Sequence, residues 1–127
     1  MNKEFVTYKQ ALALTKLGFV GPAMGLYYEK GKELYYGTGS FSSRRHENIL
    51  APLYSEAFKW FREEHNYAGF IQLVEPEYGG DYGYVIYYKL NHLAVDHWNK
   101  GFKTYEKAEQ ACLDKLIEIV KNGNTNN

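Results

Sequence analysis

Two strand-like runs, "YAGFIQLVE" (67–75) and "DYGYVIYYKL" (81–90), meet across a turn, "PEYGGD", punctuated by Pro76, Gly79 and Gly80. Both runs are rich in β-branched and aromatic residues, which suit a pleated, half-buried surface. A link this short closes a hairpin, so the two strands are antiparallel. An earlier stretch, "GPAMGLYYEKGKELYYGTGSF", has the same design. Residues 24–28 and 33–36 read as strands around a turn containing Gly31, and "GTGS" after them reads as a loop.

Helical segments stand around the hairpins. The pattern F-x-T-Y-x-x-A occurs twice, as "FVTYKQA" from Phe5 and "FKTYEKA" from Phe102. Thr7 and Thr104 are placed as helix N-caps, whose hydroxyls accept from otherwise unpaired first-turn amides. Gln10 follows Thr7 by three and completes a capping box; Lys107 holds that place in the second copy and leaves it incomplete. Phe5 and Phe102 are expected to pin the incoming chain to the core, and Ala11 and Ala108 to allow close helix approach. Gly18 reads as the residue that ends the first helix.

The middle helix lies within "SSRRHENILAPLYSEAFKWFREEHN", with Pro52 in its first turn. Leu53, Ala57, Trp60, Phe61 and Glu64 follow helical spacing on a mainly apolar face that Tyr54 and Phe58 widen; Lys59, Arg62 and Glu63 lie opposite, in water. "NHLAVDHWNKGF" reads as an irregular crossover or a short helix. The last helix is expected over 105–120, with Ala108, Cys112, Leu116, Ile119 and Val120 on one face.

The expected order is α-β-β-α-β-β-α, an α+β fold with an antiparallel sheet of two hairpins and helices packed mainly on one face. A chain of 127 residues suits one core. Residues 1–121 are expected to form a single domain, followed by a polar tail at 122–127. The repeated motif raises the idea of a duplicated unit, although the middle helix does not carry it.

The formal net charge is zero, which argues against a general DNA or RNA binder, since phosphate neutralisation needs a basic excess. Cys112 is alone, so no intrachain disulfide and no zinc site of the usual spacing is expected. The start "MNKEFVTYKQ" lacks the apolar core of a signal peptide, and no apolar run reaches membrane-spanning length. The expected compartment is the cytoplasm.

Aromatic residues make up 17% of the chain and thirteen of them are tyrosines, clustered around 27–28, 35–36 and 82–88. Tyr82, Tyr84, Ile86 and Tyr88 share one strand face. If helices cover only one side, such a face can stack flat ligands or bind a protein. Cross-strand aromatic pairing that merely stabilises the hairpins is the plainer alternative.

"SSRRHEN" sets Ser43, Arg44, Arg45 and His46 just before a helix start, the best anion site legible in the chain; a solvated polar loop is its bland alternative. His92, Asp96 and His97 form H-x-x-x-D-H; on a helix His92 and Asp96 would share a face. A third metal ligand is lacking, so no metal site is expected, and a surface or hydrogen-bonded role is the simpler reading. Trp98 beside them could anchor an interface or a pocket. No P-loop, G-x-S-x-G or H-E-x-x-H pattern occurs, Cys112 lies on an apolar helix face, and neither enzymatic activity nor a cofactor is expected.

Three stretches, "FVTYKQALAL", "LAPLYSEAFKWFREEHNY" and "FKTYEKAEQACLDKLIEIVK", resemble a group of small uncharacterised proteins of Bacteroidetes bacteria and their phages and prophages. The matching positions are structural, and no catalytic residue carries over. The resemblance implies a phage-associated accessory, counter-defence factor acting in the host cytoplasm. It would either sequester a small nucleotide-derived signal or mask a host protein. The sequester reading draws on Tyr28, Tyr36, Tyr84, Tyr88 and Trp98 for stacking and on the Arg44–Arg45 loop for phosphate. It implies a homo-oligomer, because such sites are often built between protomers. The masking reading takes Tyr84 and Trp98 as interface hot spots.

Overall fold

The computed structural model describes residues 2–28, 30, 32–42, 48–89 and 91–125, with the side chains of all of these but 2, 38, 97–100, 124 and 125. Among these residues three α-helices and six strands run in the order α1 (Tyr8–Lys16), β1 (Ala23–Tyr28), β2 (Leu34–Phe41), β3 (Asn48–Ala51), α2 (Tyr54–His65), β4 (Tyr67–Leu73), β5 (Tyr82–Tyr88), β6 (His92–Phe102) and α3 (Tyr105–Thr125). The fold is α+β, and every strand pair is antiparallel. The expected single sheet of two hairpins is corrected to two three-stranded sheets, β2-β1-β3 and β4-β5-β6. Backbone contacts group the chain into two compact units, 1–57 and 58–127, with the boundary inside α2 after Ala57.

In the first unit β1 is the central strand. Thr7 and Gln10 form the anticipated capping box: the Gln10 amide donates to Thr7 Oγ1 at 3.1 Å, and the Thr7 amide to Gln10 Oε1 at 3.0 Å. Tyr54 donates its hydroxyl to the same Gln10 oxygen at 2.8 Å, which satisfies a polar side chain that is only 3% exposed. Gly18, with φ 103, follows the end of α1 as expected. Phe5 packs against β1: a Cβ on Gly25 would stand 2.8 Å from Phe5 Cε1, so only glycine admits the ring this closely. Tyr36 packs on the same ring at 5.0 Å between centroids, and Tyr27 donates its hydroxyl to the Val6 carbonyl at 2.6 Å. The sheet face of Gly25, Tyr27 and Tyr36 is thus covered by the N-terminal segment and α1.

Two local readings change here. "GTGS" is part of β2 rather than a loop, and "NILA" forms β3, which pairs with β1 on the side away from β2. Pro52 precedes α2 instead of opening it; Leu53 sits at the cap, its amide donating to Glu56 Oε1 at 2.8 Å.

The second unit is a meander with β5 central. α3 and the Phe58 end of α2 lie on one face of it, as the one-sided packing predicts: a Cβ on Gly69 would meet Cys112 Sγ at 2.7 Å and Phe58 Cε1 at 3.1 Å. Thr104 caps α3 through the Lys107 amide at 3.1 Å, without the reciprocal arm. Ala11 and Ala108 are fully buried, as close approach requires. α3 runs beyond the expected end at Val120 to Thr125. The stretch expected as a crossover or short helix is the longest strand, β6. A bulge at Ala94 and a wider irregularity between His97 and Phe102 break its register against β5.

The two units do not repeat one topology, since β1 is central in a crossed order and β5 in a meander. The duplicated F-x-T-Y-x-x-A pattern therefore marks two helices that begin alike. Among the described residues no helix is long and apolar enough to cross a membrane.

Half-buried on α3, Glu109 has its carboxyl pushed up to about 7 by burial, with repulsion from Glu106 adding to it. A carboxyl raised in the folded state contributes stability below its unfolded value, and this is lost as pH rises through about 7. Stability is expected to fall between pH 4.5 and 7, the interval set by that shift, and Glu109→Gln to flatten the decline. Urea midpoints across this range measure it; identical profiles for the two proteins would contradict the assignment.

Candidate functional site

An open cavity of about 530 Å³ lies in the second unit between α3 and the sheet. Tyr67 of β4, residues 94–96 of β6, and Lys115 and Ile119 of α3 line it. The size falls in the range that small ligands occupy.

Its parts follow from the local structure. Tyr67, first residue of β4, pairs with Tyr88, last residue of β5, and the two rings stand 4.9 Å apart at 43°. That cross-strand contact fixes the Tyr67 ring as a stacking surface. Lys115 and Ile119 are one turn apart on α3 and so project from the same side of the helix. The Lys115 ammonium is held by Glu118 at 2.9 Å, with both side chains in contact with solvent, so an anionic ligand could take Glu118's place at small cost. Val95 adds an apolar wall opposite Ile86, and the Ala94 bulge interrupts the ladder beside it. As an edge strand, β6 also carries a row of peptide groups that its pairing with β5 does not use.

The tyrosines named from the sequence are dispersed. Tyr84 is 3% exposed, its ring stacked 6.0 Å from Phe102, and burial pushes its hydroxyl up to about 12. It is a core residue, not part of an open ring-paved face and not an exposed hot spot. Tyr28 and Tyr36 point to opposite faces of the first sheet, as register places Tyr36 opposite Gly25 and Tyr35 opposite Leu26. Tyr28 packs on Tyr35 at 6.1 Å and Tyr36 on Phe5, so no common platform forms. Tyr88 does not line the cavity but packs on Tyr67, which does.

Ser43, Arg44, Arg45 and His46 lie outside the described residues, as do the side chains of His97 and Trp98. His92 and Asp96, expected to share a helix face, are on a strand instead. His92 pairs with Tyr88 and Asp96 with Val85, which puts them on opposite faces. Among the described residues no group of three metal-ligating side chains comes together. Burial pushes the Cys112 thiol up to about 12, helped by Glu109, so it is a packing group rather than a nucleophile.

Sequence reading missed Tyr67, Val95, Lys115 and Ile119. Only the end-to-end β4–β5 register, which sets Tyr67 against Tyr88, was open to inference from the hairpin. No family model, curated protein or solved structure matches the chain.

Proposed function

We propose that the protein is a non-enzymatic binding protein that sequesters a small, phosphate-bearing, nucleotide-derived molecule, in the phage-associated, counter-defence setting that the sequence resemblance implies. The observation that carries this reading is the α3–sheet cavity, in which a fixed tyrosine ring, an apolar wall and a lysine ammonium converge. A flat base stacked on Tyr67 and packed against Val95 and Ile119 would leave its phosphate toward Lys115. The cavity is open on one side, which suits a ligand completed by a second protomer and so a homo-oligomer.

The protein is to be purified from cells with and without active immune signalling, denatured, and its released small molecules identified by mass spectrometry. One nucleotide species per site is expected. Tyr67→Ala should lower affinity for it roughly 5- to 100-fold through lost stacking. Lys115→Gln should lower it about tenfold, with less salt dependence. Both side chains are partly exposed, so folding should survive. Unchanged binding in both variants would remove the site from this cavity.

A further inference from the structure

α2 ends at His65, and Asn66 follows with φ 63. Lys89, with φ 53, opens the turn between β5 and β6. The Lys89 amide donates to the Asn66 carbonyl at 2.8 Å. This bond ties the end of a helix to the head of a hairpin. Asparagine enters the left-handed region readily, whereas lysine gains nothing there and is held by its surroundings.

The result is a placement of charge. Arg62, in the last turn of α2, and Lys89 line one cavity of about 280 Å³ together with Asn66 and Ala68. The ion pairs among the described residues join Lys103 to Asp81 and Lys115 to Glu118, so neither Arg62 nor Lys89 has a carboxylate partner there. The Lys89 ammonium stands 5.4 Å from the centre of the Tyr88 ring. The carbonyl end of α2 favours a cation and accounts in part for Arg62. It does not account for a second cation, from a different element, lining the same cavity.

We infer that Arg62, Asn66 and Lys89 form an oxyanion site for a phosphate group. The guanidinium supplies a planar fork for two oxygens, the ammonium a point charge, and the Asn66 amide a neutral donor. Two full positive charges match a phosphate dianion better than a single carboxylate. The site shares no lining residue with the Tyr67 cavity and stands independently of the function proposed for it.

Amide NMR spectra of the whole protein, titrated with sodium phosphate, methyl phosphate or acetate at constant ionic strength, test the inference. Saturable shifts are expected at Asn66, Ala68 and Lys89 with the phosphates and much weaker ones with acetate. Methyl phosphate binding tighter than the inorganic ion identifies a phosphate monoester as the ligand class, and response to the inorganic ion alone identifies free phosphate. Arg62→Gln and Lys89→Gln should each weaken binding roughly tenfold, and Lys89→Arg should retain it. The unperturbed remainder of the spectrum reports that the variants are folded. Acetate binding as tight as phosphate, or full binding in both glutamine variants, would overturn the site as assigned.

Discussion

Phe61→Ala is expected to cost about 3–5 kcal/mol, a large part of the stability of a domain this size. Phe61 is fully buried on α2, and its ring meets Trp60 at 5.1 Å and His65 at 5.9 Å. Removing it forfeits the transfer energy of a ring and leaves a cavity that the neighbouring turns of a hydrogen-bonded helix cannot fill by collapse. Lys59→Ala, two residues earlier on the exposed side of the same helix, should change stability by no more than about 0.5 kcal/mol. Urea unfolding followed by far-UV circular dichroism measures both, with the comparison resting on midpoints at constant slope. Similar midpoints for the two variants would mean that the apolar face of α2 is misassigned.

The second large effect is expected at a residue with no side chain. Gly69→Ala places a methyl 2.7 Å from Cys112 Sγ and 3.1 Å from the Phe58 ring, closer than such atoms pack. Cys112 is fully buried and Phe58 nearly so, which leaves neither neighbour free room. The overpacking should cost roughly 1–3 kcal/mol. Cys112→Ala removes the sulfur and makes space for the methyl. The double variant should therefore be more stable than the sum of the two single changes implies, by about 0.5–3 kcal/mol of coupling. Additive effects would show that α3 does not approach β4 at this point.

Where the sequence carried local chemistry, it was legible. Thr7 and Gln10 satisfy one another three residues apart, and the structure holds their bonds. The β4–β5 hairpin follows from two β-rich runs and a Pro/Gly turn, and its ladder is regular from Tyr67↔Tyr88 to Leu73↔Tyr82. β6 was hidden because its alternation is broken by the Ala94 bulge: Leu93 pairs with Tyr87 and Val95 with Ile86, so residues two apart fall on opposite faces. β3 was hidden because four residues, "NILA", between the charged stretch "SRRHE" and Pro52 look like the approach to a helix.

The candidate site was mostly illegible for a different reason. Alternation correctly grouped Tyr82, Tyr84, Ile86 and Tyr88 on one face, but not which face the helices cover. α3 covers that one, so Tyr84 lies beneath it while Tyr88, at the strand end, meets Tyr67 at the cavity. Lys115 sits on a helix where its only local signal is a pairing with Glu118, and Arg62 reads as an ordinary solvated charge. Tertiary packing, rather than any motif, brings Lys115 to Tyr67 and Lys89 to Arg62.

The most direct test of the proposed binding function is an amide NMR titration of the intact protein with a panel of mono-, di- and cyclic dinucleotides. Saturable shifts are expected at Tyr67, Val95, Lys115 and Ile119, and their loss in Tyr67→Ala. No saturable shift at millimolar concentrations of any member, or shifts that avoid these four residues, would contradict the account.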